Sequence, residues 1–296
     1  GGRGGEIGFT YILSLFNRAG LSYSIFNTAY AILIVLAIAV RFSSSRFDLY
    51  FVTINCYFFG YVFMAMSGVR QMLAVSLFLL SCGKMNTPSD MVFKLVLYGV
   101  AISVHNSAVI ALPLFLATIL SAESFSARTR IVFTLIPLVT SIFAVQKLDL
   151  DLLSSSSKYD FYIASTELRP LSDINAYFWM AFATFAMYTV WKNRQLTESS
   201  RRNDVIAPKR AYYDWPVYGY SCAAVGVAYY IGRTVPLMDR FAYYFLPFVF
   251  HSLAIFFASI KNKMFQVWIR AVGFALGVAF MSRLLLRDPF GLFGYG

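Results

Sequence analysis

Long apolar runs separated by short polar connections make up most of the chain. A helix needs about 20 apolar residues to cross the ~30 Å hydrocarbon core of a bilayer. Candidate spans lie at 22–40, 49–66, 174–191, 214–232, 240–258 and 264–283, and shorter apolar runs occupy 70–82 and 131–146. The pattern predicts an all-α polytopic membrane protein, with residues 1–296 forming a single integral-membrane domain.

The apolar stretch 92–120 is long for one span and short for two, and the sequence "VHNSAV" interrupts it. We therefore predict two short helices that meet at His105. Asn106 and Ser107 have side chains that can cap the second of these helices. Counting this pair, the chain has about ten transmembrane or half-membrane helices.

The charges of the connections predict an orientation in the membrane. If the turn at His105 faces outward, the inner connections hold 14 Lys and Arg against 6 Asp and Glu, whereas the outer segments hold 10 against 8. Basic residues concentrate on the cytoplasmic side of membrane proteins. The same orientation makes the acidic segment 147–173 a periplasmic loop and the basic segment 192–213 a cytoplasmic loop.

Composition agrees with a membrane protein and limits its functions. The chain is 59% hydrophobic and carries a formal net charge of +11. Most basic residues sit in short connections, where they set topology, so we do not expect nucleic acid as a partner. Cys56, Cys82 and Cys222 all fall in apolar runs without CxxC spacing, which indicates buried thiols and no zinc site.

Six ionisable residues remain at the predicted outer edge of the membrane after the connection charges are set aside. Such groups are costly beside apolar spans unless they are paired, reach the headgroups or face a wet cavity, so each is a candidate for a site. They are Glu6, Arg70, His105, Arg233, Asp239 and Arg240. A P-loop, a GxSxG elbow and an HExxH pair are all missing from the sequence. The set can hold a polyanionic headgroup by charge, and we expect neither a cofactor nor a metal.

Arg70 and Gln71 open the apolar run 70–82 directly after "SG". The free N–H groups at a helix start favour an anion, and a guanidinium adds bidentate recognition of phosphate. The alternative is an arginine that extends to the lipid headgroups. His105 can act as an acid, a base or a phosphate ligand.

The stretch "VPLMDRFAYYFLPFVFH" places Arg240, Tyr244, Pro247 and His251 on one face of a predicted helix. That face could form the polar wall of a cavity. For Tyr244 and its neighbour Tyr243, an interfacial aromatic belt competes with sugar stacking. For His251, deep in the helix, a hydrogen-bonded core histidine is the better interpretation.

Four segments in this order resemble the EpsG-like branch of the Wzy-type polysaccharide polymerases. They are "RGGEIGFTYILSLF", "SGVRQMLAVSLFLLSCGK", "VAISVHNSAVIALPLF" and "MDRFAYYF". The family's motif residues fall on Glu6, Gly8, Phe9, Arg70, Gln71, His105, Ser107, Arg240 and Tyr244. Members usually have an earlier span and a polar loop before the E-x-G-F segment. The sequence has neither before Glu6, so we expect the chain to be N-terminally truncated.

The resemblance implies a GT-C-like glycosyltransferase that joins undecaprenyl-diphosphate-linked oligosaccharide repeats at the outer face of the bacterial inner membrane. The product would be an O-antigen, a capsule or an exopolysaccharide, and a chain-length regulator would be a partner. Arg70, Gln71, Arg233, Arg240 and Tyr244 would then bind diphosphate or sugar. A catalytic base would come from His105, Glu6 or Asp239, in that order of preference.

Two other functions use similar residues. An O-antigen ligase performs the same chemistry on a lipid A acceptor, but ligases usually carry a larger outer domain than segment 147–173. A flippase or exporter of lipid-linked sugars is not an enzyme. It would be expected to show inverted repeats and charged or broken helices near the midplane, and we find no such repeat in the sequence.

Overall fold

The computed structural model describes residues 7–42, 46–57, 68–83, 87–120, 173–202, 215–233, 238–260 and 262–287. Every regular element in these ranges is a helix, which confirms the all-α class for this part of the chain. The α-helices are α1 (Ile7–Arg18), α2 (Tyr23–Phe42), α3 (Arg46–Cys56), α4 (Val69–Ser81), α5 (Pro88–Val104), α6 (Leu112–Leu120), α7 (Asp173–Arg202), α8 (Trp215–Ile231), α9 (Leu246–Ser259) and α10 (Lys263–Arg287). Two 3-10 helices, Asn106–Ala111 and Met238–Tyr244, precede α6 and α9.

One described helix is long and apolar enough to cross a membrane by itself, at Ser24–Phe42 within α2. The helix Met238–Tyr244 and α9 meet that test together, but they are bent by 53° at their junction. Shorter apolar helices occur at Val69–Ser81, Asn106–Thr118, Val217–Ile231 and Met264–Ala279. The run 131–146 and segment 147–172 lie outside the described residues. The count of about ten transmembrane or half-membrane helices and the GT-C-like arrangement therefore stay predictions.

Helix α7 is longer than the sequence predicts. The predicted span ends at residue 191, but the helix continues to Arg202 through "KNRQLTESSRR". This segment is polar, yet it contains no Pro or Gly and many straight-chain residues that favour helix. At 1.5 Å per residue, the 30 residues of α7 extend about 45 Å, more than a bilayer core requires. The first part of the predicted 192–213 loop is thus helical.

The core lies around α4 and α9, which are buried along most of their length. Phe78 of α4 has its ring centroid 5.8 Å from that of Tyr244 and 6.4 Å from that of Phe248. In the neighbouring helix pair, Trp179 of α7 stacks on Tyr229 of α8 with 4.3 Å between ring centroids. Such aromatic pairs add to the stabilisation from buried area and hold helices at a fixed register. The first two pairs hold α4 against the 3-10 helix Met238–Tyr244 and α9, and the third holds α7 against α8.

The predicted break at His105 is confirmed. Helix α5 ends at Val104, and His105 has an extended backbone (φ −152°, ψ 117°) before the 3-10 helix begins. Pro113, in the first turn of α6, has no N–H to donate to residue 109 and its ring opposes a continuous α-helix there. Residues 106–111 therefore wind as a 3-10 helix, and the regular helix starts after them.

A second proline produces a similar break before α9. Pro247 lies in the first turn of α9, and its ring would clash with the carbonyl of residue 243 in a continuous helix. The chain responds with the separate 3-10 helix Met238–Tyr244. The prediction that Arg240, Tyr244, Pro247 and His251 share one helix face is therefore wrong, because two helices of different pitch and direction carry them.

Candidate functional site

Most of the candidate residues lie on three helical segments. Arg70 and Gln71 are in the first turn of α4, and His105 follows the last residue of α5. Asp239, Arg240 and Tyr244 belong to the 3-10 helix Met238–Tyr244. Glu6 lies outside the described residues. Contacts among the segments that the structure describes bring these residues together.

Gly8 allows α1 to approach α5 closely. A Cβ atom placed on Gly8 would overlap the Ser103 hydroxyl and lie 2.8 Å from the Ser103 carbonyl carbon. Real Cβ atoms do not come so near to backbone atoms, so a larger residue would push the helices apart. Ser103 is two residues before His105. The glycine of the E-x-G-F segment thus fixes α1 beside the turn that carries the histidine.

Arg70 is exposed and lies beside α1. Its guanidinium carbon is 5.9 Å from the centroid of the Phe9 ring, within the range of a cation–π contact. Gly68 is the N-cap of α4 and supplies no side-chain cap. Arg70 therefore lies at the N-terminus of α4, which carries the positive end of the helix dipole, and next to Phe9 of α1.

Gln71 connects α4 to the 3-10 helix Met238–Tyr244. Its side chain is only 5% exposed, and Nε2 donates a hydrogen bond of 2.8 Å to the backbone carbonyl of Arg240. The two residues are 169 positions apart in sequence. Because Arg70 directly precedes Gln71, this bond holds the backbones of the two arginines near each other.

Ser107 connects the 3-10 helix Asn106–Ala111 to Tyr244. The Ser107 hydroxyl and the Tyr244 hydroxyl are 2.9 Å apart, at hydrogen-bonding distance. Tyr244 is fully buried. The predicted capping role of Asn106 and Ser107 is wrong, because both lie inside the helix and His105 is its N-cap, without a side-chain cap bond. The Ser107 hydroxyl instead pairs with another helix.

Tyr98 is a site residue that the sequence analysis missed. Its hydroxyl donates a 2.9 Å hydrogen bond to the Ala108 carbonyl, and its ring stacks on Phe115 with 4.3 Å between centroids. It precedes His105 by seven residues in α5, and its hydroxyl reaches forward to the 3-10 helix that follows the histidine. A hydroxyl-bearing ring within an otherwise apolar helix, shortly before His105, is the signal that could have identified it.

His105 itself is half-buried and held by its backbone on both sides. Its N–H donates to the Ala101 carbonyl at 3.1 Å, and its carbonyl accepts from the Ala108 N–H at 2.9 Å. The histidine thus ends one helix and begins the next. With Tyr98 and Tyr244 bonded to residues 108 and 107, the backbone of this turn is fixed from two sides.

Asp239 and Arg240 are adjacent and both half-buried. Asp239 lies in the first turn of the 3-10 helix Met238–Tyr244. A carboxylate in the first turn of a helix is stabilised by the free N–H groups there. Asp239 therefore helps to begin the helix that carries Arg240.

Arg233 has different partners from Arg70 and Arg240. Its Nε lies 3.1 Å from an Asp173 carboxylate oxygen, and Nη1 donates to the Tyr177 hydroxyl at 3.0 Å. The guanidinium also lies over the rings of Tyr177 and Tyr230, at 5.6 and 5.2 Å from their centroids. These contacts fasten the end of α8 to the start of α7.

His251 is a buried core histidine, as the sequence indicates. It is 8% exposed, and Nδ1 lies 2.7 Å from the Tyr218 hydroxyl. The Phe42 ring packs against it at 5.0 Å between centroids. The three cysteines of the chain are buried free thiols, which confirms that prediction as well. Within the described ranges, no group of three or more His, Cys, Asp or Glu side chains could hold a metal ion.

Comparison with known proteins gives one family. The model of the EpsG family matches residues 3–295, nearly the whole chain. No curated protein and no solved structure matches it. The match confirms the resemblance found in the four segments, and the family points to a membrane protein of polysaccharide biosynthesis with a polymerase-type function.

Proposed function

The chain belongs to the EpsG family, and we propose that it polymerises undecaprenyl-diphosphate-linked oligosaccharide repeats into a surface polysaccharide. The reaction is glycosyl transfer at the periplasmic face of the bacterial inner membrane. Family membership supports the general part of this proposal, a polymerase that acts on lipid-linked sugars in a membrane. The roles proposed for individual residues are supported by the contacts among the motif segments.

The observation that carries the proposal is the convergence of the four motif segments. Gly8 meets the end of α5, Gln71 binds the Arg240 carbonyl, and Ser107 binds Tyr244. These contacts join parts of the chain that are up to 169 residues apart. If these residues only set the topology in the membrane, there would be no reason for them to contact one another. Their convergence supports one reaction centre assembled from several helix ends.

Arg70 and Arg240 hold the lipid diphosphate. Their backbones lie on either side of the Gln71 hydrogen bond, so two guanidinium groups can approach one anion. Negative charge builds on the diphosphate as it departs from the sugar. Planar guanidinium groups that pair with phosphate oxygens would stabilise that charge more in the transition state than in the ground state.

His105 is the first candidate for the base, followed by Glu6 and Asp239. The base takes the proton of an acceptor hydroxyl on the incoming repeat, and the oxygen attacks the anomeric carbon at the reducing end of the growing chain. The bond from that carbon to the diphosphate breaks, and its electron pair leaves with the diphosphate. Base catalysis requires accurate placement. The bonds from Tyr98 and Tyr244 to the histidine turn provide it.

Lipid-linked sugars in a strain that lacks the gene would test this function. A polymerase mutant loses long chains but keeps single capped repeats, and the wild-type chain restores the long ones. A flippase mutant instead retains unpolymerised repeats on the inner leaflet. A ligase mutant accumulates long polymer on the carrier lipid. Either of the last two outcomes would contradict the proposal.

A further inference from the structure

Helix α1 exposes an apolar stripe along its length. Ile7, Tyr11 and Leu15 follow one another at intervals of four residues, which places them on one side of the helix. Their exposed fractions are 82%, 60% and 45%. Another side carries Phe9 and Ile12, which pack against the hydrophobic core. Helix α1 therefore packs by one side and leaves the apolar stripe open.

Polar residues form a third side of α1. Thr10, Ser14 and Asn17 are four and three residues apart, so they share one face next to the apolar stripe. Thr10 and Asn17 are exposed. A helix with separate packed, apolar and polar sides fits a boundary at which protein, lipid and water meet.

The first half of α1 lies against the ends of other helices. Gly8 meets Ser103, the second-last residue of α5. The centroid of the Phe9 ring is 5.9 Å from the guanidinium carbon of Arg70, in the first turn of α4. It is also 6.2 Å from the ring centroid of Phe26, in the first turn of α2. Helix α1 thus lies at the end of the bundle where α2 and α4 begin and α5 ends.

Helix α1 crosses the start of α2 and does not run beside it. Phe16 also contacts Phe26, with 5.2 Å between ring centroids, although Phe9 and Phe16 are about two helical turns apart. In an antiparallel helix pair, Phe9 would instead meet a residue about two turns beyond Phe26. Gly20, with φ 67°, ends α1 in a Schellman motif, in which the Leu21 N–H donates to the Phe16 carbonyl. This turn redirects the chain between the two helices.

The exposed face of α2 shows where the lipid lies. The segment Ser24–Phe42 is long and apolar enough to cross a membrane. Ile25, Ile32 and Leu36 are exposed on one face of it, so this face contacts hydrocarbon. Leu21, also exposed, connects the apolar stripe of α1 to this face along the chain. With 12 residues, α1 extends about 18 Å, which is too short to cross a ~30 Å core.

We propose that α1 lies along the membrane surface, at the end of the bundle that carries Arg70, with its apolar stripe inserted into the lipid. The stripe reaches the boundary between headgroups and acyl chains, a depth that suits the amphipathic ring of Tyr11. The polar side stays in water. The lipid surface then helps to hold Gly8 and Phe9 against α5 and α4. This placement requires a membrane and no particular reaction.

Fluorescence quenching along α1 would test this placement. Single cysteines are introduced into the full-length chain, labelled with bimane and reconstituted in phosphatidylcholine nanodiscs. The native cysteines are buried, and the wild type treated with the same label gives the background. The quenchers are lipids brominated close to the headgroup, lipids brominated near the end of the acyl chain, and aqueous iodide.

The two exposed sides of α1 should respond to different quenchers. We expect Tyr11→Cys and Leu15→Cys to be quenched equally, and about twofold more by bromines close to the headgroup than by deep bromines. Thr10→Cys and Asn17→Cys should be quenched mainly by iodide. The control is Ile32→Cys, exposed at the middle of α2, which should respond most to the deep bromines.

Three results would contradict the proposal. A helix directed into the membrane would place Ile7 and Leu15 about 12 Å apart in depth, so cysteines there would differ in their response to the two brominated lipids. Strong quenching of the stripe by iodide would place it in water. If none of the quenchers reaches the stripe, another protein surface covers it, either a second copy of the chain or a further segment of the same chain.

Discussion

The side-chain amide of Gln71 donates a 2.8 Å hydrogen bond to the backbone carbonyl of Arg240, across 169 positions of sequence. The bond is mostly buried, and it ties the first turn of α4 to the 3-10 helix before α9. The bond thereby holds Arg70, which is exposed, near Arg240, which is half-buried. The bond makes Gln71 a positioning residue in the proposed mechanism.

Gln71→Leu should lower polymerase activity about 10- to 100-fold. The change removes the donor and leaves the Arg240 carbonyl without this hydrogen bond, at a cost of about 1–3 kcal/mol. The matched control is Gln266→Leu, because Gln266 also donates from Nε2 to a backbone carbonyl, that of Ile260 near the start of α10. Specific activity and unfolding temperature should be measured for both. Equal loss of activity in the two variants would show that Gln71 acts only through stability.

Gly8→Ala should reduce activity about 100-fold, since its Cβ would displace α1 from Ser103 and shift the histidine turn. Gly99→Ala is the control, because nothing lies within 4 Å of a Cβ there and Ala favours helix. Adding Ser103→Ala to the Gly8 variant should not restore activity, because backbone atoms also block the Cβ. Full rescue by that second change would contradict the close backbone approach.

Tyr98→Phe and Tyr244→Phe should each lower kcat about 5- to 10-fold with little change in KM. Each removes one buried hydrogen bond, worth about 1 kcal/mol, from the turn that positions His105. Tyr50→Phe, an exposed tyrosine on α3, should behave as the wild type. If kcat is unchanged in both buried variants while the unfolding temperature falls, the two hydroxyls stabilise the fold without positioning the base.

The two histidines of the chain should respond in opposite ways to replacement by asparagine. His105→Asn removes the proposed base, so activity should fall 100-fold or more while the protein level holds. His251→Asn disrupts a buried pair with Tyr218, so protein level should fall, with near-normal activity per molecule. Immunoblots of membranes and an assay with purified enzyme separate these effects. Lost expression with normal specific activity in His105→Asn would make that histidine structural.

The sequence predicts those features that depend on neighbouring residues. The break at His105 follows from an apolar run of the wrong length, and the start of α4 follows from the "SG" before Arg70. The 3-10 helix before α9 does not follow from a helical period of 3.6 residues, because Pro247 interrupts that period. The roles of Gln71 and Tyr98 depend on which helices meet. Hydrophobic periodicity identifies apolar faces but not their partners, so only the structure reveals these contacts.

The last prediction concerns Arg70 and Arg240. Lysine at either position should fail nearly as badly as alanine, because lysine keeps the charge but not the planar fork that pairs with two phosphate oxygens. An arginine that only reaches the headgroups would tolerate lysine, since both side chains have long stems and hydrated heads. Polymer length on a gel, with protein level monitored, distinguishes binding of the diphosphate from contact with the headgroups. The variants to compare are Arg70→Lys, Arg70→Ala, Arg240→Lys and Arg240→Ala.

Arg18→Lys is the matched control for that series. Arg18 is an exposed arginine at the end of α1 and belongs to no predicted site, so polymer length should stay close to that of the wild type. A bidentate role for Arg70 and Arg240 thus predicts short products in their lysine variants and long products in the control. Full-length polymer from both lysine variants would leave Arg70 and Arg240 as membrane anchors. The diphosphate would then have to be held by other residues.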